Sequence, residues 1–422
     1  MRRALLPATA LALSGLLVTP STAQAAAAAQ VAQVAPTSPA SVSADLRYRL
    51  HAAIAGSTAG TVSVAVDVVG LGAVFRQAAT TAVPPASTEK LLTTFAALQA
   101  LGPGARLRTQ LLATYPQRGP YLPGNLYLVG GGDPFLSAGQ LDALAAAVRA
   151  AGIRKVEGSL VVDDLRYDAV RRAPGWKASY VPDESGPLSA LALDRNTWRR
   201  DSSYLSDPGI PTLGRLREML SRHGVSVSPA LHRGAAPAGA RVVASHVSAS
   251  LTDLVRRTDK ESDNFAAELL LKELGRSVRG TGSSAAGVAA VRDVLAPLGV
   301  GVGSMSDGSG LSSRDRQSAA GELSLLSAAE GSGVYDALRR ALPVACTDGT
   351  LKDRMCNTAA AGTALAKTGT LPGTHALTGW TTTADGHLVR YAILLTGTTS
   401  TTRARAAIDA CVALLSAAHA DA

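Results

Sequence analysis

Ser87-Thr88-Glu89-Lys90 constrains this chain more than any other stretch. A serine three residues before a lysine shares a helical face with it. Hydroxyl and amine therefore meet only if the segment opens a helix. Its flanks predict that. Thr61 to Val69 is β-branched and apolar, a strand that turns at Gly70 to Gly72 into a second strand through Val74-Phe75. Pro84 and Pro85 stop that element. Ser87 then opens an apolar helix, Leu91 to Leu98, which Gly102-Pro103-Gly104 ends. Of the seven lysines, only Lys90 has a serine three positions upstream. If that lysine is neutral, the pair is a nucleophile with its own base.

The amino terminus sets the compartment. Residues 1–25 form a secretory signal: Arg2 and Arg3, an apolar run from Ala4 to Val18, and the small-x-small site Ala23-Gln24-Ala25. The run is short for a membrane span. Residues 26–40 are a disordered leader rich in Ala, Gln, Pro and Ser. The roughly 380 residues that remain suffice for two domains. Aromatic residues make up only 4% of the chain, so its core is built from Ala, Val and Leu. The net charge of +9 is carried mainly by arginine and suits an anionic setting such as a cell wall. The arginines are scattered without interleaved aromatics, which argues against nucleic acid. Export permits a disulfide, predicted between Cys346 and Cys356, with Cys411 left as a buried thiol in the last helix. No Cys or His cluster has metal-ligand spacing, so no metal is expected.

The texture changes from 105 to 245. Short strands at Arg108 to Thr114, Gly124 to Val129 and Ser159 to Val162 surround a helix at Ala138–Ala151, and Trp176, Tyr180 and Trp198 lie among loops. This region is expected to be an inserted domain. Leu251 to Arg257 are helical, and a polar break from Thr258 to Ser262 precedes a second helix, Asn264 to Leu274, closed by Gly275. Ala364 to Thr370 and Leu377 to Thr383 are strands, Asp385-Gly386 a hairpin into His387–Thr396, and residues 401–418 a closing helix. Residues 41–104 and 246–422 would then form one discontinuous catalytic domain. The expected class is α/β (α+β).

Two more motifs each occur once, in order: Ser262-Asp263-Asn264 at a helix boundary and Lys367-Thr368-Gly369-Thr370 on a strand. Singly, each has an ordinary reading. Ser87 is a good helix N-cap, Ser262 and Asn264 are cap residues, and Lys367-Thr368-Gly369 suits an exposed strand end. Together they supply acyl transfer. Ser87 attacks a carbonyl and Lys90 takes its proton, given a lowered pKa. Ser262 relays that proton to the leaving nitrogen, and Asn264 holds the substrate's peptide group. Lys367 adds positive charge, and Thr368 offers a hydroxyl to a terminal carboxylate. The N–H groups of Ser87 and Thr370 form an oxyanion hole. Asp133, Asp163 and Asp164 are expected to be turn residues. His375 is notable only for its nearness to the Lys-Thr-Gly strand.

This trio is a known signature of penicillin-recognising serine enzymes. With it stand Pro85 to Leu92, Gly124-Asn125-Leu126-Tyr127-Leu128, Gly130-Gly131-Gly132-Asp133-Pro134, Asp307-Gly308-Ser309-Gly310-Leu311-Ser312, Leu342-Pro343-Val344-Ala345 and Asp348-Gly349-Thr350-Leu351. Over most of its length the chain resembles the serine-type D-alanyl-D-alanine carboxypeptidase/endopeptidases of peptidase family S13, the class C low-molecular-mass penicillin-binding proteins. The resemblance implies a penicilloyl-serine transferase fold (β-lactamase/transpeptidase-like) with an inserted smaller domain. It implies an acyl-enzyme between Ser87 and peptidoglycan stem peptides, trapping by β-lactams, and no cofactor.

Three features depart from the family. Ser87 and Ser262 are 175 residues apart, short for its insert. Cys346 stands where glycine is expected, and Asp315 where asparagine is usual. The competing readings are a serine β-lactamase and a non-catalytic wall-binding protein. No asparagine has a glutamate four residues before it, so slow release of bound penicillin is expected. At most loose membrane association is expected of an exported, extracytoplasmic protein.

Overall fold

The structure, a computed structural model, describes residues 44–420; the predicted signal and leader lie outside them. A helix at Ala44–Ala55 leads into β1 (Thr61–Val68) and β2 (Gly72–Gln77), an antiparallel hairpin whose register shifts at Val66/Asp67. A 3-10 turn, Ala86–Glu89, runs directly into the helix Lys90–Leu101. The next stretch supplies eight short strands: β3 (Arg108–Ala113), β4 (Tyr121–Leu122), β5 (Leu126–Val129), β6 (Lys155–Val156), β7 (Leu160–Asp163), β8 (Ser226–Val227), β9 (Leu231–Arg233) and β10 (Arg241–Val247). The chain returns through helices to β11 (Leu365–Leu371), β12 (Thr374–Thr382), β13 (Leu388–Thr396) and a last helix, Thr401–Ala417.

The first and last strands make one antiparallel sheet, ordered β11-β12-β13-β1-β2. β12 and β13 are buried almost throughout; β13 carries a continuous buried run from Tyr391 to Leu395, whereas β12 buries Thr378 and His375 along with Ala376, Leu377 and Trp380. Leu46, Leu50 and Ile54 of the first helix pack with Ile408, Cys411 and Val412 of the last one over Val64, Tyr391 and Ile393. The helix Lys90–Leu101 belongs to a different core, where Phe95 and Leu98 meet Leu270, Leu271 and Leu274.

The middle of the chain builds a second sheet, β10-β3-β5-β7-β9, and a small one, β4-β6-β8. β5, β7 and β9 are parallel, with helices Ala138–Ala150 and Gly209–Arg222 in the connections between them, because parallel strands need crossovers. β10 crosses residue 245 and ends at Val247. Gly209–Arg222 lies where the sequence reading assigns no element, yet buried Leu213, Leu216, Met219 and Leu220 repeat at helical spacing.

Two expected boundaries are corrected. The polar segment from Thr258 is not a break: the helix Leu251–Glu261 runs through it and ends at Ser262, in the left-handed region at φ 55°. Thr258 and Asp259 are polar but buried in the interior, so polarity there marks a site rather than a loop. Nor does Gly275 close its helix. That helix extends to Arg279 and stops at Gly280, at φ 74°. Gly275 is a crossing point, where a Cβ would come 2.6 Å from the Gly287 nitrogen of the neighbouring helix.

Candidate active site

Ser87 stands in the 3-10 turn and Lys90 begins the helix behind it. Pro85 precedes the turn and no side chain caps it, so the Ser87 hydroxyl is not used as a cap. Instead Lys90 Nζ lies 2.9 Å from Ser87 Oγ. The same nitrogen donates to Asn264 Oδ1 at 2.8 Å and to the Ser309 carbonyl at 2.7 Å. Lys90 is fully buried. Burial pulls its pKa down to about 8, although Asp307 and Glu268 push the other way.

Ser262 and Asn264 flank the junction of two helices. Asp263 caps the second helix through Ala266 N–H, at 2.9 Å, and its other oxygen pairs with Arg195. Asn264 Nδ2 reaches the Glu184 carbonyl, at 3.1 Å. The left-handed turn at Ser262 thus places its hydroxyl 2.8 Å from Lys367 Nζ on β11. Lys367 also donates to the Thr368 carbonyl at 2.9 Å. It is fully buried, and burial and repulsion from Lys90 hold its pKa near 7, against Asp259 and Glu322. Thr368 Oγ1 donates to Thr350 Oγ1 at 2.8 Å. At Gly369 a Cβ would fall 2.6 Å from the Pro85 carbonyl, so a glycine lets β11 press against the turn that carries Ser87.

A cleft of about 860 Å³ is lined by Ser87, Ser262, Asn264, Thr368 and Thr370, with Lys177, Tyr180 and Glu184 on one wall and Thr350 and Lys352 on another. A disulfide joins Cys346 to Cys356 across the segment that holds Thr350 and Lys352. The segment is therefore tied at both ends. Cys411 is a buried thiol in the last helix.

The aspartates set aside in the sequence lie elsewhere. Asp133 and Asp163 accept turn N–H groups, from Phe135 at 3.0 Å and Leu165 at 3.1 Å. Asp164 does more: it is buried between Arg171 and Arg233 as an ion-pair centre. His375 pairs with Thr370 across β11 and β12, but its ring is buried, its pKa is lowered by burial, and it does not line the cleft. Sequence reasoning missed a set of buried carboxyls around the two lysines: Asp259, Glu268 and Glu322, each pushed up by burial, to about 7, 8 and 7. The apolar sequence around Glu268 and Glu322 hints at them, while Asp259, in a polar stretch, gives no such signal.

The chain matches the model of the D-Ala-D-Ala carboxypeptidase 3 (S13) family over residues 47–209 and 202–418. It is 31% identical over 386 residues to the D-alanyl-D-alanine carboxypeptidase of Actinomadura sp. (strain R39), covering 72% of each chain. It is also 31% identical over 389 residues to carboxypeptidase DacB of Mycolicibacterium smegmatis, covering 87% of this chain and 82% of that one. Among solved structures, penicillin binding protein 4 of Haemophilus influenzae superposes with a TM-score of 0.75 at 22% identity, over 83% of this chain and 94% of that one.

Proposed function

Because the chain belongs to the D-Ala-D-Ala carboxypeptidase 3 (S13) family, we propose that it hydrolyses the terminal D-alanyl-D-alanine bond of peptidoglycan stem peptides through an acyl-enzyme at Ser87, with D-alanyl cross-links as a further substrate. One observation carries the reading: a fully buried Lys90 whose amine lies 2.9 Å from Ser87 Oγ and meets carbonyl oxygens with its other two positions. A neutral amine has two N–H groups and one lone pair. With the N–H groups on Asn264 and Ser309, the lone pair faces the Ser87 hydroxyl.

The two lysines share the electrostatic problem. Both are buried, and each disfavours charge on the other. A substrate carboxylate arriving at Thr368 favours the charged form of Lys367 and so leaves Lys90 neutral. Ser87 then attacks, and its proton passes to Lys90. Ser262, hydrogen-bonded to Lys367, relays that proton to the departing amine, which leaves Lys90 neutral for the second half-reaction. Asn264 orients the acyl-side amide, Gly369 lets β11 lie close against the turn that carries Ser87, and the N–H groups of Ser87 and Thr370 receive the oxyanion. Water repeats the attack in the second half-reaction. β-Lactams present the same acyl group and trap Ser87.

The secretion pattern of residues 1–25 and the net charge of +9 support action on the cell wall outside the cytoplasm. Among the described residues no helix is long and apolar enough to cross a membrane. The division into a catalytic part, 41–104 with 246–422, and an insert, 105–245, is supported by the separate sheets. The test is D-alanine release from diacetyl-lysyl-D-alanyl-D-alanine together with labelling by fluorescent penicillin. Wild type should release and label, and Ser87→Ala should do neither; equal release by both sinks the assignment of Ser87.

A further inference from the structure

Beneath Ser87 and Lys90 lie carboxyls that this mechanism does not use. Asp307 is buried and accepts five hydrogen bonds: from Trp176 Nε1 at 2.6 Å, Ser309 N–H and Oγ at 3.1 Å each, Gly310 N–H at 2.7 Å and Ser312 N–H at 2.8 Å. Five converging donors are the surroundings of an ionised carboxylate. Asp315 is within side-chain hydrogen-bond reach of it, in different company. Its Oδ1 accepts from Ser306 N–H at 2.7 Å, while its Oδ2 is buried and meets no donor. An ionised Asp315 would leave a bare anionic oxygen beside a second carboxylate. A protonated one has an O–H to give and an acceptor beside it.

We propose that Asp315 is a carboxylic acid that donates its proton to the Asp307 carboxylate, and that this acid pair is the positioning device that holds the Ser309 carbonyl on Lys90. The proposal rests on the reading of Lys90 as base. Asp307 gathers the backbone from Ser309 to Ser312 around itself. That loop presents the Ser309 carbonyl to Lys90 Nζ at 2.7 Å. Gly310, at φ 79°, lies so close to the Ser87 turn that a Cβ there would come 1.8 Å from the Ala86 carbonyl. The loop therefore cannot shift without moving the nucleophile or the base. Burial, then the charges of Asp307 and Glu89, push Asp315 up to about 11. Around this pair stand Glu89 on the Ser87 turn, Glu268 on the helix Asn264–Arg279, Glu322, and Arg292, the cation that opposes them at Glu89. Both Glu89 oxygens also lack donors, and burial raises Glu89 well above the usual carboxylate range.

The proposal is tested on the full chain with Asp315→Asn and Asp315→Ala. Asparagine keeps an N–H donor toward Asp307 but does not titrate. An acid whose folded pKa lies above its unfolded value of about 4 gives stability that is complete below that value and lost as pH rises toward its folded value. The melting temperature of Asp315→Asn should therefore exceed that of wild type, by a margin that widens from about pH 5 to about pH 10. A margin that does not change with pH, or an asparagine variant that melts lower, overturns the protonated acid. Penicillin acylation tests the positioning. Asp315→Ala should acylate ~10-fold or more slowly, as misplaced reacting groups do, and Asp315→Asn should restore the rate. An alanine variant that acylates as fast as wild type overturns the positioning role. The melting series involves no turnover, so its outcome is independent of whether Ser87 acts on D-alanyl peptides.

Discussion

Lys90 and Lys367 are equally buried, and burial lowers both, yet the ground around them differs. Lys90 opens a helix near Asp307 and Glu268 and has three hydrogen-bond partners, one of which is the nucleophile. Lys367 sits within a strand, has two acceptors, and after burial feels the repulsion of Lys90 most. The lesson is that burial makes a proton scarce at both sites, while geometry decides the task. Lys90 is aimed at a hydroxyl. Lys367 lies behind Ser262 and Thr368, which line the cleft where a carboxylate would rest.

Arginine substitutions should break the two apart most sharply. Arg cannot lose its proton, so Lys90→Arg should lower penicillin acylation by ~10²–10⁴, the range of a lost general base. Lys367→Arg retains charge and should lose less, on the order of the ~10² at the low end for one electrostatic donor. Equal losses, measured by stopped-flow labelling, would erase the distinction.

The pH profile sharpens the same point. Acylation should rise with pH and level off near 8, as Lys90 sheds its proton. Lys367 itself sheds its proton near 7, whereas Lys367→Arg keeps a charge there at every pH, so in that variant Lys90 should lose its proton at lower pH and the rising limb should move down. An unmoved limb would mean that the lysines are not coupled.

A third, smaller effect concerns the wall beside Lys367. Removing the disulfide with Cys346→Ser and Cys356→Ser should cost about 3 kcal/mol in denaturant unfolding, for a loop closed over ten residues. It should also raise KM more than it lowers kcat, since Thr350 supports Thr368. Unchanged KM would detach that wall from substrate binding. The smallest effect marks the contrast between buried and surface charge. Arg49→Ala removes an exposed pair with Asp45, 3.6 Å apart, and should change stability by less than ~0.5 kcal/mol.

The three motifs were legible because acyl transfer needs particular residue types at short spacings, and local sequence displays these. The strand–turn–helix around Ser87 was legible for the same reason: proline, glycine and apolar period all act locally. The helix through Thr258 and Asp259 was not legible, because their burial comes from partners far along the chain. Gly275 misled because a glycine that admits a neighbouring helix looks like one that ends its own. The carboxyls fared worst. Glu89, Glu268 and Asp315 have the composition of surface residues, and only the fold makes them interior, as where Gly308 N–H meets Glu268 40 residues away.

By itself, then, the sequence determined the chemistry available to this protein: one serine–lysine pair, one Ser-x-Asn, one Lys-Thr-Gly and the order in which they come. Hydrogen-bonding capacity and local helix or strand preference belong to residues and near neighbours. The tertiary structure alone decided protonation. It buried two lysines among acids, aimed one amine through Asn264 and Ser309, and left Asp315 an oxygen with no donor. A charge's stability depends on every dipole and ion within several ångströms, and the fold, not the sequence interval, brings those together.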